Sequence, residues 1–505
     1  MGEFPTNLLE ARTVLLAAVV FLVVFRLLRQ RPRNLPPAPW GWPILGNLPG
    51  LMTSGEEMHV TLSKMAARYG GVTRLNLAGK QVVVLNGYAT IKEAFAMHQF
   101  SGRPIAHMTK AVLPGSGIVN SSGEVSAGLR RFSLTVLRGF GVGKSSFEKN
   151  ISAEADGMLE EMEKQEGQAF DPKSVLSKAV SNVISAVVFG KRFGYDDPTL
   201  EGLLRSLDDA MAQSGSGCLL QFVPIFSRLQ MLPFVREYIK TLTAFFGSID
   251  GLLGEHARCT DRDSPRDYVD TYLNEMEARE LRGAASSSGC LLAENLVHVV
   301  GDLFGGGSET TATTLRWAML YMMAYPDVQA RVQRELDGVT ARNRFPRISD
   351  KPCLPYTEAV ISEVQRVATI APLALPHQCS EDTKVFGYDI PKGTIILCNI
   401  WHHHFDRDLW EEPTLFRPER FLDRAGNFRP REELTPFGIG RRICVGENLA
   451  RMELFIFFTR LLHQFTIQKP DDVTTVSFEG ANGIVWSPKN FSICAIARDE
   501  NLTAN

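Results

Sequence analysis

The stretch Pro436-Phe437-Gly438-Ile439-Gly440-Arg441-Arg442-Ile443-Cys444-Val445-Gly446-Glu447 decides how this 505-residue chain is read. A single Cys is most often a small buried hydrophobe. Cys444 has other surroundings. It stands just before a predicted helix opening at Asn448, where backbone N–H groups and the helix dipole stabilise a thiolate. Gly438, Gly440 and Gly446 remove side-chain bulk on both sides, and Arg442 offers a planar fork to a carboxylate. A thiolate ringed by glycines and an arginine suits a flat, carboxylate-bearing metal macrocycle.

Upstream, residues 291–323 are apolar and long enough for about nine helical turns, near 50 Å. In the middle sit Gly305, Gly306 and Gly307, followed by Ser308, Glu309, Thr310 and Thr311. Each interior Gly costs a helix about 1 kcal/mol against Ala, so the run has two readings. Either the glycines thin a long helix so that a flat ligand approaches its backbone, with Glu309 and Thr310 placed to relay protons. Or they form a loop joining two shorter helices, with Thr310 as a cap. Glu363 and Arg366 share a helix face and can pair. Pro418-Glu419-Arg420-Phe421 offers a second guanidinium. A buried carboxylate held by Arg366 and Arg420 would be a structural lock, the alternative being two unrelated surface pairs.

Composition frames these motifs. Hydrophobic residues make up 44% and charged residues 22%, enough apolar content for a core. Lys plus Arg (54) nearly cancels Asp plus Glu (56), which excludes an overall nucleic-acid-binding polycation. The cysteines, at 218, 259, 290, 353, 379, 398, 444 and 494, include no C-x-x-C pair, which argues against a disulfide scaffold or a thiolate zinc site. Residues 13–25 carry no charge, and Arg26, Arg29, Arg31 and Arg33 follow without a small-residue cleavage site. We read 1–28 as an uncleaved transmembrane anchor of marginal length, with the basic flank and the bulk of the chain in the cytosol. A signal peptide and a peripheral helix are its rivals. Leu35-Pro36-Pro37-Ala38-Pro39-Trp40-Gly41-Trp42-Pro43 makes 29–49 a semi-rigid spacer. The remainder, 50–500, reads as one large, mostly helical domain, with a hairpin over 71–86, helices over 154–164, 200–211, 234–253 and 268–279, and a tail at 501–505.

Phe437, Gly440, Arg442, Cys444 and Gly446 resemble the haem-binding loop of the cytochrome P450 family at every defining position. The run from Gly306 to Thr311, the Glu363, Arg366 and Arg420 set, and the Pro-rich hinge with Gly46-Asn47 follow in that family's order, so the resemblance covers nearly the whole chain. Phe100-Ser101-Gly102-Arg103-Pro104, Leu315-Arg316-Trp317 and Glu447-Asn448-Leu449-Ala450-Arg451 are similar to the animal microsomal branch, family 2-like. The resemblance implies a mainly α fold with small β-sheets, a single haem domain behind an N-terminal membrane anchor. It implies a monooxygenase carrying haem b (iron protoporphyrin IX) that inserts one oxygen atom from O₂ into a lipophilic substrate: a steroid, secosteroid, fatty acid or xenobiotic. Electrons would come from NADPH through NADPH–cytochrome P450 reductase, with cytochrome b5 as a further partner, at the endoplasmic-reticulum membrane with the catalytic domain facing the cytosol. Cys444 would be the metal ligand, and Thr310 and Glu309 the catalytic proton carriers. Arg442, Arg130 and His377 would hold the haem carboxylates, Phe437 would pack over the thiolate, and Gly306 would give the ring room. Phe304, Ala371, Leu373, Ala374, Ile484, Val485 and Phe222 would touch substrate, with Phe226 and the 105–120 loop in the roof.

One position departs from the family pattern. The helix carrying Arg130 has a Trp four residues earlier in the family; Ser126 stands here. Ser121 and Glu124 still read as a capping box opening that helix. The departure puts haem retention and reductase docking in question. Two other functions therefore stay in view: a reductase-independent isomerase or dehydratase of the same fold, against which Glu309-Thr310 argues, and a non-catalytic haem-binding relative. His402-His403-His404 follow an apolar strand-like run and read as an ordinary turn. Arg130, Arg131, Lys144, Arg441 and Arg451 form either a basic patch for an acidic electron donor or scattered solvated charge.

Overall fold

A computed structural model describes residues 34–213, 220–222, 228, 231–258, 265–281, 290–481 and 483–498, with Thr13, Val14, Ala17, Ala18, Val20 and Phe21. The principal helices are, in chain order, α1 (Met58–Tyr69), α2 (Tyr88–Ala96), α3 (Gly123–Gly139), α4 (Glu148–Glu163), α5 (Lys173–Val188), α6 (Pro198–Gln213), α7 (Pro233–Ala257), α8 (Tyr268–Leu281), α9 (Ala293–Ala324), α10 (Pro326–Thr340), α11 (Pro355–Ala368) and α12 (Glu447–Gln464). The expected hairpin is β1 (Val72–Leu77) against β2 (Lys80–Asn86). It extends into a four-stranded sheet with β3 (His377–Gln378) and β4 (Ile395–Asn399), in the order β1-β2-β4-β3, where β2 and β4 run parallel with Val82 opposite Ile395. The architecture is mainly helical with small sheets, as the sequence implies.

Helix α9 is the axis of the molecule. Its 32 residues run unbroken, about 48 Å long, so the glycine run is helix and not a loop between two helices. It is buried on nearly every face, as a helix apolar all round must be. The glycines serve different neighbours. A Cβ on Gly307 would lie 2.9 Å from Ile184 Cγ1 of α5, and one on Gly305 would lie 3.2 Å from Leu207 Cδ1 of α6. These two let α5 and α6 pack close. Gly306 has nothing within 4 Å of that position, so it alone faces open space.

Around α9 the largest apolar cluster joins α4, α5, α6, α7, α10, α11 and α12. A second cluster packs α2 under the sheet, and a third joins Leu62 of α1 to Val82, Val84, Leu397 and Phe222. Among the described residues no helix is long and apolar enough to cross a membrane. The anchor expected over 1–28 falls almost entirely outside the described residues.

Helix α3 forms without the expected capping box. Ser122, not Ser121, precedes its first residue, and no side chain caps it. The Ser122 hydroxyl instead accepts from Arg103 N at 2.8 Å. Ser126 is buried within α3, which survives the departure from Trp.

Candidate active site

The loop before α12 is closed by Cys444 N donating to Phe437 O at 3.0 Å and Ile443 N donating to Gly440 O at 3.1 Å. At Gly440, φ is +79°, and a Cβ there would lie 2.6 Å from Phe95 O of α2. Glycine therefore lets the loop press against α2 in a left-handed conformation. Arg451 of α12 stacks over the Phe437 ring at 4.8 Å. The backbone N–H groups of Gly446 and Glu447, with the Arg130 charge, favour the Cys444 thiolate, but burial outweighs them and pushes the thiol up. The helix start favours the thiolate through those backbone N–H groups, as the sequence implies, and desolvation of the sulfur is the larger, opposing effect. Yet Cys444 is solvent-accessible. The sulfur therefore has room beside it, and a cation there would reverse the shift.

Beside this loop three guanidinium groups converge. Arg442 Nε donates to Ser101 O at 2.9 Å and Nη1 to Ile118 O at 3.2 Å, and its Nη2 reaches Ser121 O. Arg130 Nη2 donates to Ile443 O at 2.6 Å. Arg103 Nη1 donates to Leu375 O at 2.7 Å and Pro376 O at 2.8 Å, while its buried Nε has no partner. Burial and mutual repulsion pull Arg103 down to about 9 and Arg442 down to about 10. His377 stacks on Phe95 at 4.3 Å, bonds through Nδ1 to Phe100 O at 2.7 Å, and is held well below the usual imidazole range, first by burial and then by Arg103 and Arg442. Among the described residues none of the three arginines forms an ion pair with a carboxylate. Such a concentration of half-buried cations without a carboxylate partner suits an anion.

Across from it, α9 presents Asp302, Gly306 and Thr310 on one face by their four-residue spacing. Thr310 Oγ1 donates to Gly306 O at 2.7 Å. Glu309 leaves by a different face: its Oε1 accepts from Thr313 Oγ1 at 3.0 Å, and Thr313 lies 3.2 Å from the Ser487 hydroxyl. Burial raises the Glu309 carboxyl, with Asp208 adding to the rise. The structure thus sets the two expected proton carriers side by side in sequence but without a bond between them.

The cytochrome P450 family model matches residues 36–495. The chain is 40% identical to rat cytochrome P450 2J3 over 500 residues, 97% of each chain. It is 38% identical to human cytochrome P450 2J2 over 506 residues, 98% of this chain and 99% of the relative, and 40% identical to mouse cytochrome P450 2F2 over 474 residues, 91% and 94%. This chain belongs to the cytochrome P450 family. These relatives are family 2 cytochromes P450 by name, and the chain is an oxidoreductase of the monooxygenase class.

Cytochromes P450 carry haem, and the residues present fit it. The donor set is one accessible, enclosed thiol and a cluster of unpaired guanidinium groups, with the partnerless Arg103 Nε among them. A thiolate-ligated iron with two carboxylates on its ring needs such a set. Gly306 leaves room on the facing helix.

The Glu363 carboxylate is held by Arg366 at 2.7 and 2.8 Å and by Arg420 Nε at 3.0 Å, all three side chains buried. The two arginines join one lock; they are not separate surface pairs. Arg366 also donates to His404 O at 2.7 Å, and His404 Nε2 accepts from Thr435 N at 3.1 Å, one residue before the Cys444 loop opens. His402 pairs with Ser63 and His403 with Thr435, so each ring of the triplet has a protein partner.

The expected substrate residues separate into groups. Trp486 N donates to Ile370 O at 2.7 Å, which brings the turn with Ile484 and Val485 against the turn with Ala371, Leu373 and Ala374. Phe222 packs in a cluster that Leu373 joins. Phe304 is elsewhere: fully buried, its ring centroid 6.5 Å from that of Phe189. It stands two positions, about 200° of helix, from Gly306, so it packs α9 against the end of α5 and does not face the open side. Phe226 lies outside the described residues.

The sequence reading passed over Arg103 and Asp302. Asp302 Oδ2 accepts from Val119 N at 2.8 Å, and burial lifts its carboxyl to about 7. The spacing Asp302, Gly306, Thr310 was the available signal.

Proposed function

We propose that this cytochrome P450 inserts one oxygen atom from O₂ into a lipophilic organic substrate, R–H + O₂ + 2e⁻ + 2H⁺ giving R–OH + H₂O. The carrying observation is Cys444, accessible to solvent, beside three half-buried arginines with no carboxylate partner among the described residues. When bound, thiolate-ligated haem supplies the reductive cleavage of the O–O bond.

The chain's own residues do the rest. Cys444 holds the metal, and Phe437 shields its sulfur. Arg103, Arg130, Arg442 and His377 hold the ring carboxylates. Thr310 keeps a hydroxyl at the open face of α9, and Glu309, fed through Thr313 and Ser487, carries protons inward. Ala371, Leu373, Ala374, Ile484, Val485 and Phe222 shape an apolar pocket suited to a steroid, secosteroid, fatty acid or xenobiotic. Electrons come from NADPH through NADPH–cytochrome P450 reductase, with cytochrome b5 as a second donor. Exposed Arg131, Lys144 and Arg441 support docking of an acidic protein. Residues 1–28 anchor the chain in the endoplasmic-reticulum membrane, 29–49 space it, and 50–500 form the catalytic domain on the cytosolic side, ending in a tail at 501–505.

The test is the reduced, carbon monoxide difference spectrum of the purified protein, followed by NADPH consumption with reductase over a lipophilic panel. A strongly red-shifted Soret band that Cys444→Ala abolishes, with reductase-dependent product, is expected. A band at the position of His-ligated haem, or turnover that ignores NADPH and reductase, overturns the reading.

A further inference from the structure

Far from the Cys444 loop, the end of α7 meets the start of α8. Asp267 precedes α8, and its Oδ1 accepts from Asp270 N at 3.0 Å, capping the helix. Asp270 returns the favour to the chain before it: its Oδ2 accepts from Arg266 N at 3.2 Å and Arg266 Nε at 3.0 Å. Each carboxylate therefore uses one oxygen for the local turn and keeps the other. The two remaining oxygens point the same way. Asp270 Oδ1 lies 2.9 Å from His256 Nε2 of α7, and Asp267 Oδ2 lies 3.3 Å from the same nitrogen.

Two features set this apart from an ordinary acidic cluster. Asp267 is 1% exposed and Asp270 0%, and Asp267 Oδ2, aimed at the centre of the group, has only the long contact to the His256 ring at 3.3 Å. A buried carboxylate oxygen with one long contact is under-satisfied, which is costly. The spacing is also that of a ligand set. All three atoms lie within 4.8 Å of one another. Ligands about 2.0–2.2 Å from a tetrahedral zinc stand about 3.4 Å apart, close to the two measured edges. Gly190 makes the room: its φ is +60°, and a Cβ there would sit 2.7 Å from Asp267 Oδ2.

We propose that His256, Asp267 and Asp270 form a structural site for a divalent transition ion, Zn²⁺, with water completing its coordination. One imidazole nitrogen and two carboxylate oxygens suit that ion, and the side-chain exposure of His256, 11%, leaves a way in. The ion joins the last turn of α7 to the first of α8. It stabilises the folded chain by binding it and not the unfolded one.

The experiment uses untagged, full-length, haem-loaded protein stripped with a chelator and titrated with ZnCl₂ by calorimetry, with Tm read in parallel. One saturable Zn²⁺ per chain and a rise in Tm are expected. Asp267→Asn retains the Oδ1 acceptor for the cap, so the carbon monoxide spectrum stays intact while Zn²⁺ affinity falls by at least about tenfold and the rise in Tm disappears. His256→Gln gives the same loss. No saturable uptake, or uptake unaltered in both variants, overturns the site and leaves His256 as a proton-bearing partner of the two aspartates.

Discussion

The Glu363 carboxylate of α11 and the Arg420 guanidinium, far apart in sequence, meet at 3.0 Å with 0% and 4% of their side chains exposed. Arg366 holds the other side of the same carboxylate and, through His404 and Thr435, is tied to the segment leading into the Cys444 loop. Two buried cations thus rest on one anion. Glu363→Gln keeps the shape and strands the charges. A loss of about 3–5 kcal/mol is expected, seen as a lowered urea midpoint and a fall in haem-loaded protein. A variant with wild-type stability would mean that the lock is solvated.

Arg103 separates haem retention from stability. Its side chain is half-buried, has no ion-pair partner among the described residues, and is pulled down to about 9 by desolvation and its neighbouring arginines. Arg103→Met keeps the apolar stem but removes the charge and the bonds to Leu375 O and Pro376 O, so the Tm of the haem-free protein is the control for that structural loss. Haem transfer to an acceptor protein should speed at least about tenfold, because a charge-assisted bond of about 1.5–3 kcal/mol is lost. Equal loss rates in variant and parent would remove Arg103 from the carboxylate site.

Where the sequence reading succeeded, the chemistry was local. Glycine and arginine spacing around Cys444 and the pattern Glu363, Arg366 act within one loop or one helix turn. Where it failed, tertiary phase decided. Gly305, Gly306 and Gly307 look alike in sequence, but only Gly306 faces open space; the others admit Leu207 and Ile184. Phe304 is near Gly306 in sequence and on the far side of the helix. The capping box at Ser121 does not form: the helix starts one residue later, the Ser121 hydroxyl is buried, and the Ser122 hydroxyl at the cap is taken by Arg103, a contact set by chain folding. Arg103 itself carries no local mark of being buried among cations.

Acid should act through His59. Its ring sits between Trp401 and Trp486, at 5.2 and 5.3 Å, and burial lowers it from 6.5 to about 4. The folded state therefore prefers the neutral ring. This stability is present above pH 6.5 and is lost as pH falls through about 4. At pH 5 the deficit relative to neutral pH is about 2 kcal/mol. His59→Gln should show a shallower fall in Tm between pH 7 and pH 4.5, and parallel curves would refute the assignment.

Salt should slow electron delivery. Arg131, Lys144 and Arg441 are exposed on the side of the Cys444 loop, whereas Arg451 is paired with Glu447. Rates at limiting reductase should fall as ionic strength rises from 0.01 to 0.5 M, the Debye length shrinking from about 30 Å to under 10 Å. Reversing Arg131, Lys144 and Arg441 to Glu should abolish that dependence and leave the carbon monoxide spectrum unchanged. A salt response retained by the triple variant would place the docking charge elsewhere.

Thr310 and Thr313 should fail differently, because they occupy different faces of α9. Thr310 Oγ1 is tied to Gly306 O on the open side. If Thr310 carries protons as proposed, Thr310→Ala should cut product formed per NADPH by at least about tenfold, with the carbon monoxide spectrum intact. Thr313 touches Glu309, and its hydrogen bond lowers a carboxyl that burial raises. Thr313→Val should let the Glu309 carboxyl rise further. If Glu309 works as a proton donor, the alkaline limb of kcat then moves to higher pH, while substrate KM stays unchanged. Glu309→Gln should abolish that limb. A Thr313→Val enzyme whose pH profile overlays the parent's would show that the Ser487–Thr313–Glu309 chain only braces α9 against the strand at Ser487–Pro488, and that protons reach Thr310 by another route.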